Sequence, residues 1–209
     1  EVIPGGVDSG FFSPAEVAVT RDRVLYVGRL LPHKGIDRLI AALPPELPLT
    51  ICGHAYDARY LSLLEGLAHG KQVEFITDTE DEFLRDLYRR SWAVVLPSVY
   101  RDCYGRIYLA PELMGLTLLE AMACGTPAIC SRVGATPEFV RHGETGFVFD
   151  GLIQLAEQLR LLAGQPSLAD DMGATGRRSV EQEFSHVIAG SKLLAVYEQM
   201  LVEAEADTR

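Results

Sequence analysis

The chain lacks any apolar run near the roughly 18 residues that a membrane span needs, so no segment reads as transmembrane. It begins at Glu1 without the charged-then-apolar leader of a signal peptide. Basic residues are outnumbered: the formal net charge of −10 argues against a nucleic-acid groove or a face for anionic lipid. Low-complexity tracts are absent and 48% of the residues are hydrophobic, which excludes a disordered chain. Only four cysteines occur, Cys52, Cys103, Cys124 and Cys130, with neither a C-x2-C pair nor a histidine-rich partner segment. Cys52, Cys124 and Cys130, in apolar contexts, read as small buried thiols, and none of the four as a disulfide or zinc ligand, in a reducing, cytoplasmic setting. Neither G-x-x-x-x-G-K-[ST] nor G-x-G-x-x-G is present, which weakens NTPase and dinucleotide-enzyme readings. With no D-x-D motif either, no metal and no cofactor are expected.

What is present is regular. Short apolar runs ending in glycine or turn residues, Val24–Gly28, Leu47–Gly53, Gln72–Ile76, Trp92–Leu96 and Ala128–Ser131, read as buried parallel strands. Between them lie helical patterns, such as Ile36, Leu39, Ile40 and Leu43, or Phe83, Leu84, Leu87 and Tyr88 after a cluster of acids. A short helix at 137–140, a small strand at 147–149, and helices at 152–163, 167–178 and 184–203 complete the chain. Alternation at intervals of about 20 residues predicts an α/β domain over residues 1–209, a Rossmann-like parallel sheet flanked by helices, with ligands outside the carboxyl ends of the strands.

The stretch from Glu112 to Pro127 organises the rest. An acid precedes Gly115, an apolar run containing Glu120 follows, and Gly125 and Pro127 end it, the pattern of a loop turning into a capped helix. Leu118, Leu119 and Met122 form its buried stripe. The helix start presents backbone N–H groups and the positive dipole end, a natural seat for phosphate, with one glutamate on either side. At the end of the first strand, Gly28 lets backbone approach a ligand, and Arg29 and Lys34 supply positive charge.

Glu112 and Glu120 are spaced as in the E-x7-E signature of retaining glycosyltransferases with the GT-B fold, family 4, and the chain resembles that family elsewhere too. Gly28-Arg29-Leu30 with Lys34-Gly35, the opening Val2–Asp8, Pro97-Ser98, Gly125-Thr126-Pro127, Gly134–Glu138 and Gly143–Phe147 follow the family's order. The resemblance implies the C-terminal, donor-binding half of a GT-B fold. It further implies a hexosyltransferase that takes a nucleoside-diphosphate sugar, UDP-glucose as first guess, to an unknown acceptor in polysaccharide or glycoconjugate synthesis. Gly28, Arg29, Lys34, Ile76, Gly115, Leu116, Thr117 and Glu120 would bind the donor, with Glu120 on the ribose. Glu112 would be the catalytic residue near the sugar.

The resemblance also implies a missing N-terminal acceptor-binding domain, against which the helix at 184–203 would pack with Leu193, Leu194, Tyr197 and Leu201. The isolated chain would then transfer sugar weakly or not at all, and membrane association, if any, would be peripheral and come through that domain. Two alternatives stay open: a nucleotide-sugar epimerase on the same scaffold, and a non-catalytic nucleotide-sugar-binding module. One departure stands out. Residues 99–111 separate Ser98 from Glu112, where the family has only a few. This extra loop, with three tyrosines and two arginines, could stack on a ligand or pack as a rigid flap.

Overall fold

The computed structural model describes residues 2–207. Six strands, β1 (Arg23–Val27), β2 (Leu49–Cys52), β3 (Val73–Ile76), β4 (Ser91–Leu96), β5 (Ala128–Ser131) and β6 (Gly146–Phe149), form one sheet in the order β3-β2-β1-β4-β5-β6. Every pairing is parallel. The strands are apolar on both sides because helices cover both faces. In β1, Val24 and Tyr26 join one core and Leu25 and Val27 another.

The helices are α1 (Ile36–Ala42), α2 (Ala58–Ala68), α3 (Asp81–Arg89), α4 (Leu116–Ala123), α5 (Thr136–Phe139), α6 (Leu152–Gly164), α7 (Pro166–Ser179) and α8 (His186–Asp207). α1 packs against α2 and α6, whereas α4 packs against α3 and α7. Local chemistry explains where they start and stop. Asp57 caps α2 by accepting the Tyr60 N–H at 3.1 Å, and Asp81 and Glu82 occupy the positive first turn of α3. The stripe of α4 is buried as its spacing predicts, with Leu118, Leu119 and Met122 inaccessible.

On α3 the stripe is narrower than its sequence suggests. Leu87 and Tyr88 are buried, but Phe83 is 51% exposed, because the helix starts only at Asp81 and turns that first-turn position outward. Cys52, Cys124 and Cys130 are buried free thiols, and Cys103 is an exposed one.

The opening and closing segments meet. The Val7 N–H donates to the Phe184 carbonyl, and the His186 N–H donates to the Val7 carbonyl, each at 2.9 Å. From there α8 runs with Leu193, Leu194, Tyr197 and Leu201 exposed.

The strand order reverses between β1 and β4, since the chain fills one edge of the sheet and then the other. At such a switch point two strand-end loops diverge and leave a crevice at their carboxyl ends. Here the loops are Gly28–Gly35 and the connection from Pro97 to α4.

Candidate functional site

The loop after β1 is set from below. Tyr26, fully buried, donates its hydroxyl to the Arg29 carbonyl at 3.0 Å. Pro32–Lys34 then forms a single tight turn that brings Lys34 inward, while Arg29 stays exposed at the rim. Lys34 Nζ lies 2.6 Å from Glu112 Oε2, and the two side chains are only 11% and 10% exposed. The Ser98 hydroxyl donates to the same oxygen at 3.0 Å. Glu112 is thus held by a cation and a hydroxyl from two different strand ends.

The Glu112 backbone is held as firmly. The Ala135 N–H donates to its carbonyl at 3.2 Å. Gly134 sits against the same carbonyl with φ of +59°, and a Cβ at that position would fall 2.1 Å from the oxygen. Only glycine satisfies both the left-handed backbone and the close approach. Three residues after Glu112, Gly115 (φ +77°) turns the chain into α4. The N–H groups of Leu116 and Thr117 precede the first intrahelical donor and make no backbone hydrogen bond among the described residues.

A cleft of about 370 Å³ lies between these loops. It gathers Gly28, Arg29, Lys34, Glu112, Gly115, Leu116 and Thr117, so seven of the sequence-predicted site residues share one wall-to-wall space. Its charge differs from expectation in one respect: Lys34 is not a lone cation but the partner of Glu112. His33, beside it, has its pKa lowered by burial and by the Lys34 and Arg29 charges, so it is neutral at pH 7.

Glu120 and Ile76 stand apart from this lining. Glu120 faces α3, where the buried Tyr88 hydroxyl donates to its Oε2 at 2.6 Å. Burial raises the Glu120 pKa, the Tyr88 hydrogen bond opposes that, and nearby Asp81 adds to it. Ile76 closes β3, and its carbonyl accepts the Gly53 N–H at 2.8 Å. It lines a larger cavity, about 900 Å³, between α3 and residues 13–19. Among the described residues, no group of three His, Cys, Asp or Glu side chains could hold a metal ion.

The extra loop is a compact hairpin. Arg101 and Ile107 bridge as antiparallel neighbours, and Gly105 makes the turn at φ of +84°. Asp102, only 6% exposed, is its centre: the carboxylate accepts the Tyr104 and Arg106 N–H groups, both at 2.9 Å, and the Tyr108 hydroxyl at 3.2 Å. The tyrosines engage protein groups. Tyr108 lies against His33 with ring centres 4.7 Å apart, Arg59 covers Tyr104, and the Tyr100 hydroxyl accepts the Gly134 N–H at 3.0 Å. Of the two readings the sequence left open, this packing is that of a flap.

Sequence reasoning missed Ser98 as a partner of Glu112 and Tyr88 as a partner of Glu120. Tyr88 read simply as a member of an apolar stripe. The one available signal was its hydroxyl, which a buried tyrosine must satisfy.

Residues 11–179 match the profile of the family described as glycosyl transferases group 1. The chain is 33% identical over 215 residues to the GDP-mannose-dependent monoacylated alpha-(1-6)-phosphatidylinositol monomannoside mannosyltransferase of Corynebacterium glutamicum, covering 92% of this chain and 54% of that protein. It is 32% identical over 219 residues to the D-inositol 3-phosphate glycosyltransferase of Rhodococcus erythropolis, covering 95% and 46%. Among solved structures, the sucrose-phosphate synthase of Thermosynechococcus elongatus superposes with a TM-score of 0.81 at 28% identity, over 97% of this chain and 53% of that one. The chain spans about half the length of the relatives it matches.

Proposed function

Because the chain belongs to the glycosyl transferases group 1 family, we propose that it is the donor-binding half of a retaining GT-B glycosyltransferase of family 4. The observation that carries the reading is the convergence of Lys34, Glu112 and the start of α4 in one cleft at the switch point. A diphosphate seated there meets the free N–H groups of Leu116 and Thr117 and the charges of Arg29 and Lys34.

The chemistry follows from those groups. The bond between the sugar anomeric carbon and the diphosphate oxygen breaks, and the acceptor hydroxyl oxygen bonds to that carbon from the same face. The hydroxyl proton passes to the departing phosphate, which leaves with the nucleoside. Negative charge grows on the diphosphate in the transition state, so cations and amides fixed beforehand lower the barrier. Incoming phosphate draws Lys34 from Glu112, and the freed carboxylate then accepts hydrogen bonds from sugar hydroxyls at the reacting face. Glu120 accepts those of the ribose.

The donor is a nucleoside-diphosphate sugar, with UDP-glucose the first to test. GDP-mannose comes second, because the mannosyltransferase relative is named for it. The acceptor is bound by a separate N-terminal domain, and the activity belongs to the cytoplasm, in polysaccharide or glycoconjugate synthesis. No helix among the described residues is long and apolar enough to cross a membrane.

Calorimetric titration of the chain with UDP, GDP and ADP and their sugars, in EDTA, tests the reading. One nucleotide family is expected to bind without added metal, since amides and cations rather than a bound ion neutralise the phosphates. Absence of binding by all three, or binding only with Mg²⁺, overturns it.

A further inference from the structure

Glu120 has a neighbour whose part in the site nothing so far explains. Tyr88 comes from the far end of α3, is completely buried, and donates its hydroxyl to Glu120 Oε2 at 2.6 Å. Its backbone is tied to the same helix, because the Thr126 hydroxyl just beyond α4 donates to the Tyr88 carbonyl at 2.6 Å. Its ring is fixed edge-on against Phe12, with centres 5.8 Å apart. A ring held at carbonyl, face and hydroxyl has one rotamer, so it imposes that geometry on the carboxylate it touches.

The other carboxylate oxygen is treated differently. Glu120 Oε1 accepts no hydrogen bond among the described residues, and it is not among the buried polar atoms left without a partner. It therefore keeps some solvent access while Oε2 is anchored. A carboxylate has about four acceptor positions, and Tyr88 occupies one of them. Two adjacent hydroxyls of a ribose are donors that match those remaining.

We propose that Tyr88 is the positioning residue of the ribose site: its hydroxyl fixes the Glu120 carboxylate in the orientation that accepts a vicinal diol. This rests on the reading of Glu120 as the ribose acceptor. The titratable and charged groups around the pair are Asp81, Arg85 and Arg89 on α3, Cys52 at the end of β2, Cys124 just past α4 and Arg177 on α7. Burial raises the thiol pKa values, that of Cys124 to about 12, so both cysteines are neutral near pH 7. Burial also raises the Tyr88 hydroxyl well above its ordinary value, which leaves it a donor at every working pH. For Glu120 the sign is opposite in effect: burial favours the protonated acid, and the Tyr88 hydrogen bond is what favours the carboxylate.

The test compares the parent, Tyr88→Phe and Glu120→Gln. The probes are UDP, GDP and ADP, their 2′-deoxy counterparts, and inorganic pyrophosphate, each titrated from pH 5 to 8. Tyr88→Phe is expected to weaken the ribonucleotide about five- to twentyfold, the deoxynucleotide much less, and pyrophosphate not at all. Affinity falls as pH drops through the Glu120 pKa, and in Tyr88→Phe that fall is expected to begin at higher pH. A purely structural role would instead weaken all probes alike.

If Glu120→Gln loses ribonucleotide affinity while Tyr88→Phe keeps both affinity and pH profile, Tyr88 is not a positioning residue and the ribose reading stands. If neither variant matters, the ribose reading falls and takes the proposal with it. Should Tyr88→Phe fail to fold, carboxyl and ring ¹³C spectra of the parent decide. The Tyr88 ring signal must move as Glu120 titrates and move again on adding nucleotide, and a stationary signal refutes the coupling.

Discussion

Lys34 and Glu112 confront each other in the cleft, both side chains largely buried, and their energies are coupled. Removing the lysine leaves a carboxylate that is 10% exposed with, among the described residues, the Ser98 hydroxyl as its one side-chain partner. An uncompensated charge in such a place costs about 1–3 kcal/mol. Lys34→Ala is therefore expected to lose diphosphate affinity and also stability. At about 2–4 °C per kcal/mol for a chain of this size, calorimetry should register a fall of several degrees. Adding Glu112→Gln should restore most of the melting temperature but none of the affinity. A double variant no more stable than Lys34→Ala would refute the coupling.

Glu120 presents the reverse case. Its raised pKa means that the folded state holds the proton more tightly than the unfolded chain. The stability it contributes is full below the unfolded pKa and is lost as pH rises through the folded one. Glu120→Gln should thus melt higher than the parent at pH 7.5, but not at pH 4, while binding ribonucleotide worse. The residue types of both acids were legible in the sequence from their spacing. Their partners were not, since Lys34 and Glu112 stand 78 positions apart and Tyr88 and Glu120 stand 32 apart.

At the scale of elements, hydrophobic period and glycine punctuation located the strands and helices to within about four residues at their ends, because a two-sided parallel sheet demands short, wholly apolar strands. The hairpin at 100–108 escaped because its centre is polar. Three hydrogen bonds converge on Asp102, and no alternation of apolar residues announces them. That inverted construction makes a sharp prediction. Asp102→Ala should leave two backbone N–H groups and the Tyr108 hydroxyl without their acceptor and loosen the hairpin, while the sheet stays intact. Limited trypsin digestion should then cut at Arg101 or Arg106 at least tenfold faster than in the parent, with far-ultraviolet dichroism unchanged. Equal cleavage rates would mean that docking on His33 and Gly134, and not Asp102, holds the element.

For the whole molecule, the position of the cleft was legible as a rule of topology: alternating strands and helices imply a switch point, and a switch point implies a crevice. Its lining was less so. The resemblance set Ile76 and Glu120 among the donor-binding residues, Glu120 on the ribose; in the fold Ile76 lines a cavity beside α3 and Glu120 packs against that helix, outside the lining of the phosphate cleft. Sequence order along a strand edge says which loops are neighbours, but the side on which each side chain emerges depends on helix rotation, which the period fixes only coarsely.

The pairing of β1 with β4 has a consequence for how the molecule assembles and comes apart. These central strands are contributed by distant parts of the chain: Arg21 donates to the Ser91 carbonyl at 3.0 Å across 70 positions. Closing so long a loop is slow, so the β1–β4 seam is expected to zip late in folding and open early in unfolding. The candidate site straddles that seam, with one wall from each half. A nucleotide held there acts as a rivet between two halves, and it should slow unfolding rather than speed folding. Stopped-flow unfolding in urea with and without saturating nucleotide can measure this: the unfolding rate should drop while the refolding rate is unchanged. The same rivet should raise amide-exchange protection on both sides of the seam together, at Leu25 and at Val94, although neither lines the cleft.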